Sequence, residues 1–225
     1  MSGFPRLSLL AFLMLLVLLP LFFAELIAAS LAKLRLSPHM ALLLILAIII
    51  GGLVNIPLKH IAHERTVRVH PLAVFGLDGL WPGLRRERRE TVIAVNLGGC
   101  VFPTGLALYE LVQLAAQGAP ELIAALLVGG VNTTVCYFLA RPVPGVGILL
   151  PGLVPGAVAA ILAVVFAPDA AAPAAYVAGV AGPLVGADLL HLKEIARSAV
   201  GTASIGGAGT FDGIVLSGVI AAFLA

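Results

Sequence analysis

Pro120-Glu-Leu-Ile-Ala-Ala-Leu-Leu-Val-Gly-Gly-Val-Asn132-Thr-Thr-Val-Cys-Tyr-Phe-Leu-Ala140 carries a single charged side chain, Glu121, next to its beginning. A helix crossing a bilayer needs about 20 consecutive, mostly apolar residues, because each residue advances only about 1.5 Å through a hydrocarbon layer of about 30 Å. This stretch meets the requirement, and so do Leu7 to Leu31, Pro38 to Leu58, Thr91 to Gln117, Gly145 to Ala167, Ala170 to Leu192 and Ser204 to Ala225. The composition agrees. The 225 residues are 61% hydrophobic and 11% charged, with a mean hydropathy of +1.13, whereas a soluble domain carries about 25% charged residues to cover its surface. The expected fold is an all-α integral membrane protein, a single polytopic domain over residues 1–225 with about seven transmembrane helices. Several of these helices are interrupted by Gly or Pro, and one cytoplasmic loop, 59–90, joins two of them. Its standing partners would be membrane lipids. A net charge of +2 is too small to argue for nucleic acid, and two cysteines inside apolar runs make no disulfide framework.

The basic residues orient the chain. With seven spans, Arg6, Lys59, Arg65, Arg68, Arg85, Arg86, Arg88, Arg89, Arg141, Lys193 and Arg197 share one side, and only Lys33 and Arg35 lie on the other. Cytoplasmic loops collect Lys and Arg, so the N-terminus is expected in the cytoplasm and the C-terminus outside, in a cell (inner) membrane. Arg6 followed by an apolar run and then Ala28, Ala29 and Ala32 also fits a cleaved signal peptide. The run is longer than the usual apolar region of about 7 to 15 residues, which favours a retained span. In the loop, alternation around Thr66-Val-Arg-Val-His70 suggests a short strand, Trp81 suits the interface, and Arg85-Arg-Glu-Arg-Arg-Glu90 reads as a topology signal resting on anionic lipid. His60-x-x-His63-Glu64 matches neither order of the zinc-helix motif, so no metal and no cofactor is expected.

Polar residues inside the spans carry the functional argument. Measured from the cytoplasmic boundary at about 1.5 Å per residue, Asn55, Asn96, Asn132, Asp188 and Asp212 lie roughly 6 to 13 Å deep. A polar group facing hydrocarbon costs several kcal/mol, so these groups are expected to face inward, around a crevice open to the cytoplasm. Gly98, Gly99, Pro103, Pro151, Pro155, Pro183, Gly206, Gly207, Gly209 and Gly213 stand near them, and broken helices are tolerated at membrane depth only against protein or a wet cavity. Asp188 and Asp212 are the catalytic candidates. Asn55, Asn96 and Asn132, with Gly207 and Gly209, are the candidates for holding substrate. His191 is a partner, relay or interface residue for Asp188, and Gly182-x-x-x-Gly186 reads as a packing face. Capping the last helix with Asp212 would leave too short a span, so Asp212 is expected within or beside a longer, distorted segment.

At Gly186-Ala-Asp188-Leu-Leu and Ser204-Ile-Gly-Gly-Ala-Gly-Thr-Phe-Asp212-Gly-Ile, with Arg141-Pro-Val-Pro-Gly-Val-Gly147 upstream, the chain resembles an uncharacterised prokaryotic membrane family, domain of unknown function 1614. The resemblance runs from about Gly51 onward. The arrangement is also similar to that of the presenilin and signal-peptide-peptidase group of intramembrane aspartyl proteases, in which two aspartates on consecutive spans lie near the cytoplasmic side. Ala187 stands where that group has tyrosine, and Thr210 and Phe211 separate Gly209 from Asp212. The likeness implies an aspartyl hydrolase acting on a transmembrane peptide through Asp188 and Asp212. An ion- or proton-coupled carrier of a small solute uses the same ingredients, and a non-catalytic assembly or lipid-binding protein would use the arginine run.

Overall fold

The computed structural model describes residues 4–68, 84–143, 147–198 and 201–225. His70 and Trp81, the expected end of the loop strand and the expected interface residue, lie outside the described residues. In chain order the elements are α1 (Phe4–Lys33), α2 (Pro38–Gly51), β1 (Asn55–Arg68), β2 (Leu84–Asn96), a π-helical turn (Leu97–Val101) leading into α3 (Phe102–Gln117), and α4 (Ala119–Leu139). There follow β3 (Arg141–Val143), β4 (Gly147–Leu149), α5 (Val154–Phe166), and α6 (Ala171–Ala181), which widens into a π-helical stretch (Gly182–Leu189). Last come α7 (Leu192–Ser198), β5 (Gly201–Ile205) and α8 (Gly213–Leu224).

The protein is a helical membrane protein. Among the described residues four helical segments are long and apolar enough to span a bilayer: Ala11–Lys33, Leu97–Gln117, Ala119–Leu139 and Pro168–Leu189. Three more apolar helices, Pro38–Gly51, Val154–Phe166 and Gly213–Leu224, are shorter. Val112, Leu127, Phe138, Ile161 and Val165 all turn outward. Water would not tolerate so large an apolar surface on a monomer, and lipid favours it.

Helix α6 is the axis of the bundle, with every residue from Ala174 to Val180 buried. Between helices in lipid there is no hydrophobic driving force, so close backbone approach through small residues supplies the attraction. A methyl group on Gly179 would come within 2.7 Å of the Ser217 carbonyl oxygen and 2.9 Å of Gly218 Cα in α8. One on Gly182 or Gly186 would overlap the Asn132 amide or the Thr133 carbonyl of α4. Gly182-x-x-x-Gly186 is thus a packing face. Ser30 ties α1 to α8, donating through Oγ to the Val219 carbonyl at 2.8 Å.

Four of the expected spans are not helical throughout: those from Pro38, Thr91, Gly145 and Ser204 each include extended backbone. The segment from Thr91 starts as strand, not helix, because Thr91-Val-Ile-Ala-Val95 is rich in β-branched residues and pairs on both sides. Likewise α2 stops at Gly51, and the chain from Asn55 is extended. β1 and β2 form one long antiparallel hairpin, from Asn55 opposite Asn96 to Arg68 opposite Leu84. β5 lies parallel to β2 on its other side, Thr91 opposite Gly201 through Val95 opposite Ile205. The sheet order is β1-β2-β5, leaving β5 at an edge.

Candidate functional site

The two aspartates arrive from different kinds of local structure. Asp188 sits in the π-helical widening that follows α6, where Pro183 removes an amide donor from the ladder. Asp212 does not lie inside a helix. The segment before it is strand β5, then a glycine loop in which Gly206 (φ 72°) and Gly209 (φ 60°) take left-handed conformations, then a short 3₁₀ turn. Such backbone cannot continue a helix, and Asp212 caps the one that follows. Its Oδ1 accepts from the Ile214 amide at 3.0 Å and its Oδ2 from the Ala208 amide at 3.3 Å. Helix α8 therefore has 12 residues, and the loop and β5 make up the rest of the expected span.

Both carboxyls line one cavity of about 570 Å³. Asp212 is near enough for its charge to act on Asp188. Asp188 itself is without a donor: among the described residues none gives its carboxyl a hydrogen bond or ion pair. His191 turns elsewhere, with Nδ1 at 3.1 and 3.0 Å from the carbonyls of Gly186 and Ala187 and its ring stacked on Tyr137 at 4.8 Å. Thr202 to Ile205 of β5, the glycine loop and Gly147 to Leu150 of β4 and its exit line the same cavity.

The amides divide. Asn55 lines the cavity, and its Oδ1 accepts from Ser204 Oγ at 2.6 Å and from Asn96 Nδ2 at 3.1 Å. Asn96 is fully buried and spends its remaining capacity on backbone, donating to the Gly52 carbonyl at 2.8 Å and accepting from the Gly99 amide at 2.7 Å. It is the N-cap of the turn that leads into α3, and it links β1, β2 and the end of α2. Asn132 lies apart, between α4 and α6, donating to the Ala178 carbonyl at 2.8 Å. Gly207 lines the cavity wall. Gly209 packs instead against Gly52, where a methyl would come within 3.2 Å of Gly52 Cα. Cys100 and Cys136 are buried free thiols, and among the described residues no group of His, Cys, Asp and Glu is arranged to hold a metal.

The sequence reading passed over two polar residues. Ser204 opens the motif that runs to Asp212, but its bond to Asn55 depends on the parallel pairing of β5. Glu110 is 3% exposed, with Oε1 lacking a hydrogen-bond partner among the described residues. It could have been flagged as the only acid between Thr91 and Gln117.

A helical membrane bundle with a carboxyl-lined cavity under a small sheet is the class defined by these features. Residues 49–224 match the model of the family described as Protein of unknown function (DUF1614). The chain belongs to that family. No curated protein and no solved structure matches it.

Proposed function

We propose that the protein is an intramembrane aspartyl hydrolase that cleaves an extended peptide segment with Asp188 and Asp212. The observation that carries this reading is the company the two carboxyls keep. They share a cavity with β5, an edge strand of the sheet. Backbone groups on an edge strand are a template for another extended chain, and a peptide bond must be drawn out of its helix before water can attack it. One carboxylate takes a proton from water as the oxygen bonds to the peptide carbonyl carbon. The other, protonated, donates to the carbonyl oxygen, and the C–N bond then breaks with proton transfer to the departing amine. The backbone amides on Asp212 fix that carboxyl's orientation, while Asp188, with no donor among the described residues, is free to exchange a proton.

In this reading the chain is one domain of seven spans, with a cytoplasmic N-terminus and an external C-terminus in the cell membrane. The three short apolar helices complete their crossings through the turns and strands beside them. Asn55 and Gly207 border the substrate, and Asn96 and Asn132 hold the elements that frame it. The test is purified protein in liposomes with a transmembrane peptide. Wild type should cleave, Asp188→Asn and Asp212→Asn should not, and activity should follow a bell-shaped pH profile belonging to the pair. Cleavage surviving either substitution refutes the dyad. A second reading, a carrier of small solutes, is favoured by a separate cavity at the other end of the bundle, and flux lost in both variants without any cleavage would establish it.

A further inference from the structure

The second cavity, about 500 Å³, opens where the α1–α2 turn meets the end of α3 and the start of α6. It is lined by Lys33, Arg35, Tyr109, Glu110, Gln113 and Asp169, among others. Most of these polar groups are spoken for or exposed. Lys33 Nζ donates to the Phe223 carbonyl at 2.6 Å and lies over the Phe223 ring. Gln113 Nε2 donates to Tyr109 Oη at 2.8 Å. Glu110 differs from them: it is almost wholly buried, it borders the cavity, and among the described residues its Oε1 has no donor. A carboxyl buried in this way calls for a donor from the occupant of the space beside it.

The cation whose field reaches Glu110 is Arg35, yet the two do not form an ion pair. Arg35 is exposed, borders the same cavity, and holds a left-handed backbone conformation at φ 56°. That conformation closes α1, with the amides of Leu34 and Arg35 bonded to the carbonyls of Leu31 and Ala32, each at 3.2 Å. Glycine is the residue such a turn favours. Arginine there puts a guanidinium at the rim of a cavity whose wall holds an unpartnered carboxyl. A ligand that satisfied both would carry N–H donors on a cation at one end and an anion at the other.

We propose that this cavity binds a zwitterion, its primary ammonium donating to Glu110 and its anionic group bound by Arg35. Two sources supply that chemistry: a free amino acid, or the headgroup of an aminophospholipid at the membrane surface. The two are separable with protein in nanodiscs of phosphatidylglycerol, where unfolding temperature is read after adding each proteinogenic amino acid singly. Parallel discs contain phosphatidylethanolamine, or phosphatidylcholine, whose quaternary ammonium has no N–H.

A rise with a free amino acid that is absent with its N-acetyl derivative assigns the solute. A rise with phosphatidylethanolamine but not phosphatidylcholine assigns the lipid. In either case the rise should vanish in Glu110→Gln and in Arg35→Gly. The latter suits the left-handed backbone, so it keeps the fold while deleting the guanidinium, and its unfolding temperature without ligand should equal or exceed that of wild type. The proposal fails if neither source raises the unfolding temperature of wild type, or if the rise persists in Glu110→Gln or in Arg35→Gly. It stands independently of the aspartate site, because neither variant touches the cavity that holds Asp188 and Asp212.

Discussion

Replacing Gly206 with alanine tests the backbone contact that closes the candidate site. Gly206 is left-handed, at φ 72°, and a methyl placed on it would lie 2.6 Å from the carbonyl carbon of Gly99 and 2.7 Å from the Cys100 amide nitrogen. Both neighbours are backbone atoms held by the Asn96 cap, so they cannot swing aside. Holding alanine in the left-handed region costs roughly 1 kcal/mol, and overpacking adds roughly 1 to 3 kcal/mol, for a loss of about 3 kcal/mol. Two other glycines separate the contributions. Gly201 is also left-handed, at φ 89°, but a methyl there meets nothing within 4 Å, so Gly201→Ala should cost only the conformational share, about 1 kcal/mol. Gly105 is helical, exposed and uncrowded, so Gly105→Ala should be neutral or stabilise by up to about 1 kcal/mol. Unfolding by sodium dodecyl sulfate in mixed micelles, followed by circular dichroism, gives all three values on one scale. The reasoning is refuted if Gly206→Ala destabilises no more than Gly201→Ala, since crowding would then contribute nothing.

Asp212→Asn should retain the fold, because asparagine caps as well as aspartate, whereas Asp212→Ala should lose about 1 kcal/mol in the same titration. Equal stability of the two would show that the cap contributes nothing. Asn96→Ala removes one acceptor and two donor bonds at a fully buried position and should cost about 3 kcal/mol, far more than Gln113→Ala at an exposed one. For orientation, a thiol placed at Lys59 in a chain lacking Cys100 and Cys136 should react with an impermeant maleimide only after the membrane is opened. Reaction in intact cells would invert the topology.

How much of this was legible beforehand depends on which physical constraint each residue answers to. Lipid accepts only apolar surface with its backbone bonds satisfied, so long apolar runs such as Leu122 to Ala140 declare helices crossing a membrane from composition alone. The same logic picks out Asp188, Asp212, Asn96 and Asn132 as groups that must turn inward. Gly182 and Gly186 declare a packing face because their spacing puts them on one side of a helix. What composition could not separate was an apolar strand from an apolar helix, since both bury the same side chains. Thr91 to Asn96 became a strand only because β1 and β5, distant in sequence, offered it partners on two sides. That pairing brought Ser204 to Asn55 and pushed the glycine loop against Gly99. It also left Asp212 to cap a short helix instead of sitting inside a long one. The division of the amides, with Asn55 in the cavity lining and Asn132 turned between α4 and α6, follows from how β1 and α4 pack against their neighbours, which depth along the sequence does not encode. Depth is a one-dimensional quantity that the chain carries in its order of residues, and facing is decided only when the helices and the sheet pack.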